Sequence, residues 1–192
     1  MSFQTIPWNI ILASRSPRRQ NLLKELGFDF EIKAKEIEEV YPPELQREQV
    51  AVFLSELKAS AFVSDLKDND LVITSDTIVC LNDEIIGKPV DRDDAVKMLG
   101  KLSGNKHEVI TAVTLLSHQK QHTFYEVTEV YFKPLTISEI EYYVDNYEPF
   151  DKAGSYGIQE WIGYIGIEKI NGSYFNVMGL PVKRVYDELM EF

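Results

Sequence analysis

The chain has 192 residues, 44% of them hydrophobic, which suits one compact unit or two small lobes sharing a sheet, with a core that needs neither disulfides nor a structural metal. A net charge of −11 excludes a broad nucleic-acid footprint, which requires a basic face. No apolar stretch reaches the ~18 residues of a membrane span, the N-terminus lacks the basic start of a signal peptide, and the single cysteine, Cys80, cannot form an internal disulfide, so the expected location is the cytoplasm.

Asn9 to Ala13 reads as a buried strand. Ser16 is a suitable N-cap, Pro17 suits the first helical position, Leu22, Leu23 and Leu26 form a helical stripe, and Gly27 ends it. Phe28, Phe30 and Ile32 alternate with polar residues as in a half-buried strand. Pro42-Pro43 marks a break, after which Val50, Phe53, Leu54, Leu57 and Ala61 recur at helical spacing between Leu45 and Ser64. Leu71 to Leu81 is an apolar strand interrupted by Thr74-Ser-Asp-Thr77, with Cys80 expected to be buried and inert. Glu84 to Ile86 is a short strand stopped by Gly87-Lys88-Pro89, and Asp93 to Leu102 is a helix ending near Gly104. Glu108 to Leu116 and Thr123 to Phe132 read as an antiparallel pair. Ser138-Glu-Ile-Glu141 is read as a capping box that opens a helix to Asp145. The loop Glu148 to Gly154 leads to expected strands over Trp161 to Ile170 and Tyr174 to Val177, turned at Asn171-Gly172, before a final helix from Val182 to Met190. The expected fold is α/β: a mixed, elongated central sheet flanked by helices, with two lobes and a cleft between them.

Basic residues are concentrated rather than dispersed. Arg15, Arg18 and Arg19 join Ser14 and Ser16 at a helix N-terminus, where free N–H groups and a partial positive charge favour an anion. A solvated basic helix start with Ser16 merely capping is the alternative. Asp76 lies within an apolar strand, where a carboxylate is costly to bury without a partner, so it is a candidate base, a metal ligand, or a residue at an exposed strand end. Lys58 and Lys88 are each unremarkable alone, and Glu38 and Glu39 before the Pro-rich break read equally well as surface charge. The loop Asp151 to Gln159 has glycines that permit close approach and a Gln able to read an amide edge. There is no Gly-x-x-x-x-Gly-Lys-Ser/Thr loop, no His-Glu-x-x-His, and no zinc-spaced cluster, and His107, His118 and His122 are read as non-ligands. Together the cations, the carboxylates and the polar loop suit a nucleoside triphosphate with Mg²⁺.

Ala13-Ser-Arg-Ser-Pro-Arg-Arg19, Ser75-Asp-Thr-Ile-Val79, Gly87-Lys-Pro89, Leu102-Ser-Gly104 with His107, Asp151 to Gln159, Asn171-Gly-Ser-Tyr174 and Gly179-Leu-Pro181 resemble the Maf family, in its order and spacing, from about residue 10 to residue 185. The resemblance implies metal-dependent cleavage of nucleoside triphosphates between the α and β phosphates, a fold like that of inosine triphosphate pyrophosphatases, and often a homodimer. It places Asp76 as proton acceptor and metal ligand and makes Glu39, more than Glu38, the other metal carboxylate. Ser14, Arg18, Arg19, Lys58 and Lys88 match positions lining the phosphates, and Arg18, Thr77 and Gln159 match positions linked to substrate choice. The implied metal is Mg²⁺, with Mn²⁺ or Co²⁺ as alternatives. Thr77, where the 7-methyl-GTP branch has Gln, and Lys152 to Gln159 resemble the dTTP/UTP branch. Hydrolysis of 7-methyl-GTP and a non-catalytic, nucleotide-binding role in cell division are the rival readings.

Overall fold

A computed structural model describes residues 6–192. The strands are β1 (Asn9–Leu12), β2 (Phe30–Ile32), β3 (Asp70–Leu81), β4 (Glu84–Ile86), β5 (Lys106–Leu116), β6 (Gln121–Phe132) and β7 (Ile167–Asn171). The helices are α1 (Pro17–Glu25), α2 (Glu48–Ser60), α3 (Arg92–Leu102), α4 (Ile137–Tyr147), α5 (Trp161–Gly166), α6 (Tyr174–Met178) and α7 (Val182–Glu191). The strand order is β2-β1-β3-β5-β6-β7, with β4 on β3. The sheet is mixed: β1 runs parallel to β2 and β3, whereas β4 and β7 pair antiparallel to β3 and β6.

Two compact units share these elements. Among the described residues, the first comprises those up to Asp76, Thr111–Glu126 and Gly179–Phe192, and the second Thr77–Ile110 and Val127–Met178, so β3, β5 and β6 each contribute to both. In the first, β1 pairs parallel with β2 and β3; the apolar runs of β1 and β3 are buried on both faces, whereas β2 stays largely exposed. Ile11, Ala59, Phe62, Val72 and Leu116 form a core cluster there. The second has a larger core in which Val79, Leu99, Leu102, Val130, Phe132, Tyr143 and Ile162 meet.

The N-terminal reading is realised closely. The Ser16 hydroxyl caps α1 by accepting from the Arg19 N–H, and Pro17 occupies the first helical position. β3 is continuous through Thr74-Ser-Asp-Thr77, and the unit boundary falls between Asp76 and Thr77.

Three expectations are corrected. The capping box of α4 is Thr136 with Glu139, not Ser138 with Glu141: the Thr136 hydroxyl accepts from the Glu139 N–H at 3.2 Å while the Glu139 carboxylate accepts from the Thr136 N–H at 2.7 Å. The expected strand over Trp161 to Ile170 is helix α5 up to Gly166 and becomes strand only at β7. A Cβ at Gly163 would lie 1.9 Å from the Ile158 carbonyl oxygen, a close approach open to glycine alone. The expected strand at Tyr174 is helix α6, so Asn171-Gly172 does not turn a hairpin. There the Ser173 hydroxyl accepts from the Asn176 N–H at 3.2 Å, and the buried Asn176 amide donates to the Val109 carbonyl and the Thr128 hydroxyl. At α6 long-range partners override strand propensity, whereas the Gly163–Ile158 approach at α5 is local.

Candidate active site

In the first unit a string of small hydroxyls fixes α2 against the sheet. The Thr74 hydroxyl donates to the Ser55 carbonyl at 2.7 Å, the Ser55 and Thr114 hydroxyls are 2.7 Å apart, and Thr114 meets Thr123 at 3.1 Å. Lys58 lies three residues beyond Ser55 on one helix face, and Asp76 two residues beyond Thr74 on one strand face, so this lock sets both side chains. Lys58 Nζ is 2.5 Å from Asp76 Oδ1 and 2.9 Å from Glu39 Oε1. Asp76 is buried, and the ammonium offsets the cost of holding its carboxylate out of water. Of the two adjacent acids it is Glu39 that reaches Lys58.

Arg19 is turned toward backbone. Its Nε donates to the Gly179 carbonyl and its Nη1 to the Ser75 carbonyl, both at 2.7 Å, which ties α1 to the residue before Asp76 and to the start of the C-terminal segment. Burial pulls the Arg19 guanidinium below its ordinary pKa and the Asp76 charge opposes this. A guanidinium holds its proton in a protein regardless, so Arg19 places a fixed positive charge beside the carboxylate. The buried Ser14 accepts from the Ser16 N–H at 3.2 Å, and its carbonyl accepts from the Gln20 amide at 3.0 Å, which shapes the turn into α1. Arg18 is half-buried on the same helix. The first unit therefore gathers Ser14, Arg18, Arg19, Glu39, Lys58 and Asp76.

Thr77, Lys88 and Gln159 belong to the second unit. Lys88 is exposed just after β4, and the preceding Gly87 carbonyl accepts from the Gly154 N–H at 2.9 Å, which joins that turn to the 153–155 segment. Gly154 has φ +70°, and a Cβ there would stand 3.0 to 3.3 Å from Val79, so the seam tolerates only glycine. Beyond it a network of hydrogen bonds and ion pairs surrounds Gln159. The fully buried Tyr143 hydroxyl donates to Glu160 Oε2 and accepts from the Gly157 N–H at 3.0 Å. Lys152 Nζ pairs with Glu160 Oε1 at 3.2 Å and with Asp151 Oδ1 at 2.8 Å. Burial first, and then the Glu160 bond, push the Tyr143 phenol well above its ordinary pKa. The Gln159 carbonyl accepts from the Tyr164 hydroxyl at 2.6 Å, whereas its side-chain Oε1 is buried without a hydrogen-bond partner. An unsatisfied buried acceptor costs ~1–3 kcal/mol, which a ligand donor could recover.

His107 lies in the core of the second unit, edge-on to Phe132 and Tyr156, with Nε2 2.7 Å from the Tyr156 hydroxyl. Burial depresses its pKa to about 4, so the ring is neutral at pH 7. Sequence reading missed Tyr143, Lys152 and Glu160 as supports of Gln159. The available signal was a Lys and a Glu flanking a glycine loop, which reads as surface charge until the fold buries it.

The residues fit a divalent cation. Asp76 and Glu39 offer hard oxygens on either side of a single positive charge, the donor type that Mg²⁺ prefers. Among the described residues no group of three or more His, Cys, Asp or Glu converges, and Mg²⁺ characteristically completes one or two carboxylates with water and phosphate oxygens.

Comparison with known proteins adds the following. The Maf-like protein family matches residues 9–192. The dTTP/UTP pyrophosphatase of Flavobacterium psychrophilum is 56% identical over 92% of this chain and 91% of its own. Proteins of the same name from Cytophaga hutchinsonii and Bacteroides fragilis are 51% and 50% identical, over 94% and 96% of this chain and 83% and 96% of their own. Among solved structures the Staphylococcus aureus Ham1 protein aligns with 65% of this chain and 71% of its own at 18% identity and a TM-score of 0.45, a likeness too loose to bear weight.

Proposed function

Since the chain belongs to the Maf family, we propose that it is a nucleoside triphosphate pyrophosphatase, which hydrolyses dTTP and UTP to the monophosphate and pyrophosphate. The observation that carries this reading is the buried Asp76 carboxylate gripped by Lys58, with Glu39 on the same ammonium and Arg19 fixing the strand behind it. Two acids on one lysine, with a buried carboxylate among them, are groups that a charged ligand can exchange with.

Water attacks the α-phosphorus, a new oxygen–phosphorus bond forms, and the bond to the α–β bridging oxygen breaks to release pyrophosphate. Asp76 accepts the proton that the water loses. Lys58, Arg18 and Lys88 offset charge on the phosphate oxygens, and Ser14 donates a hydrogen bond there. Arg19 acts at one remove, holding the Ser75 carbonyl so that the Asp76 side chain keeps its direction. Asp76 and Glu39 would hold a divalent cation, Mg²⁺ in this reading, which would supply positive charge for the leaving pyrophosphate. Gln159 accepts from the pyrimidine N3–H through its unsatisfied Oε1 and donates to O4, with Thr77 as the second contact. Cytosine inverts that edge and leaves the acceptor unpaired.

No helix among the described residues is long and apolar enough to cross a membrane; the cytoplasm belongs to this reading because nucleotide pools are its substrate. The decisive assay is pyrophosphate release with Mg²⁺ across dTTP, UTP, CTP and 7-methyl-GTP. Turnover confined to dTTP and UTP is the expected result. Turnover of 7-methyl-GTP alone overturns the substrate assignment, and nucleotide binding without turnover overturns the enzyme.

A further inference from the structure

Lys58 occupies a position with a second consequence. Its ammonium bridges one oxygen of Asp76 and one of Glu39, at 2.5 and 2.9 Å, and its side chain is only 17% exposed. A divalent ion bound by these carboxylates would sit ~2.0–2.1 Å from their oxygens, within a few ångströms of the ammonium that already contacts both. Two cations repel strongly at such separations, so ion entry requires Lys58 to withdraw. The helix is anchored to the sheet near this point: Ser55, one turn earlier, is bonded to Thr74 and Thr114. Withdrawal is a motion of the flexible lysine stem alone, and it leaves a half-buried ammonium in need of another anion. A triphosphate brings that anion.

We infer that Lys58 is a resident counter-ion that keeps the two carboxylates closed to metal until a nucleotide draws it away, so that metal and nucleotide bind with positive coupling. The inference rests on the reading of the chain as a metal-assisted nucleotide pyrophosphatase. It assigns Lys58 two successive partners, first Asp76 with Glu39 and then phosphate, and makes the nucleotide-free protein a poor metal binder although its donor oxygens are already assembled. Coupling of this kind is reciprocal: whatever factor the nucleotide adds to metal affinity, the metal adds to nucleotide affinity.

The test is Mn²⁺ binding, followed by electron paramagnetic resonance of the free ion, without nucleotide and with the α,β-imido analogue of UTP, corrected for metal the analogue chelates in solution. In wild type the analogue should tighten Mn²⁺ binding by at least about tenfold, within the usual range of coupling. Lys58→Gln, which removes the competing charge, should bind Mn²⁺ at least about tenfold tighter than wild type without nucleotide, and Lys58→Arg, which keeps it, should match wild type. Lys58→Gln binding no tighter than wild type overturns the inference, and so does wild-type affinity that the analogue leaves unchanged, a measurement that needs no variant to fold. Pyrophosphate release from UTP by wild type is measured alongside. Turnover without coupling leaves the enzyme and removes the counter-ion role; coupling without turnover does the reverse.

Discussion

The two units hold their polar groups by different means. In the first, the site is made of full charges opposed to one another: Lys58 between Asp76 and Glu39, and Arg19 beside Asp76 on two carbonyls. In the second, beside the largely buried Lys152–Glu160 pair, most of the buried polar groups are neutral: Tyr143 between Glu160 and the Gly157 N–H, His107 on Tyr156, and Gln159 with an unsatisfied oxygen. Opposed charges can exchange partners with an incoming ion or phosphate, which suits chemistry. Neutral, directional hydrogen bonds cannot be screened and hold one geometry, which suits discrimination between similar bases.

The strongest way to break this contrast is at Asp76. Asp76→Asn should lower kcat for UTP by ~100 to 10,000-fold, the usual cost of a lost general base. Its urea midpoint should change little, because Lys58 keeps Glu39. A large stability loss with retained turnover would make the first unit a structural ion-pair cluster instead.

Next in size is the pH response of the second unit. His107 titrates at about 4 when folded against its ordinary 6.5, because burial disfavours the charged ring. The unfolded chain therefore takes up the proton first as pH falls, and stability declines between pH 6.5 and 4, by about 3 kcal/mol in total from this group. His107→Gln, which can still meet the Tyr156 hydroxyl, should lose less between pH 7 and pH 4.5 than wild type does, read by urea unfolding at both. Equal losses would show that the ring is not held neutral.

Gln159→Ala sharpens the specificity side. Removing the amide should reduce the preference for UTP over CTP in kcat/KM by a factor of ~5 to 150, corresponding to ~1–3 kcal/mol, with a smaller effect on kcat for UTP. An unchanged preference would take base reading away from Gln159.

The smallest effect is expected from Tyr143→Phe. The ring stays packed, but the Gly157 N–H and the Glu160 carboxylate lose their shared partner, at ~1–2 kcal/mol of stability. The ratio of UTP to CTP turnover should fall as well, because the loop carrying Gln159 loosens. Stability loss with the ratio intact would make the tyrosine structural only.

Legibility followed the range of the interactions involved. The α1 start was readable because Ser16, Pro17 and the Leu22–Leu23 stripe act within a few residues of one another. So were the alternation at β2 and the long apolar β3. The N-terminus of α4 was misplaced by two residues, since Thr136 and Glu139 satisfy the same cap pattern as Ser138 and Glu141 and only the observed hydrogen bonds choose between them. Among the site residues, Asp76 was conspicuous as a carboxylate in an apolar run, whereas Glu39 and Lys58 were not separable from ordinary surface charge.

By itself the sequence determined the α/β class, the strand and helix sequence through β6, the family, and the residues available for chemistry, because hydrophobic period, caps and motif spacing are local properties. Tertiary structure alone decided that residues 174–178 are helical, through the buried bonds of Asn176 to Val109 and Thr128. It also decided that Glu39 rather than Glu38 joins Lys58, and that Arg19 spends two donors on backbone. These outcomes depend on groups distant in the chain meeting at hydrogen-bond distance, and no pattern of neighbouring residues encodes that meeting.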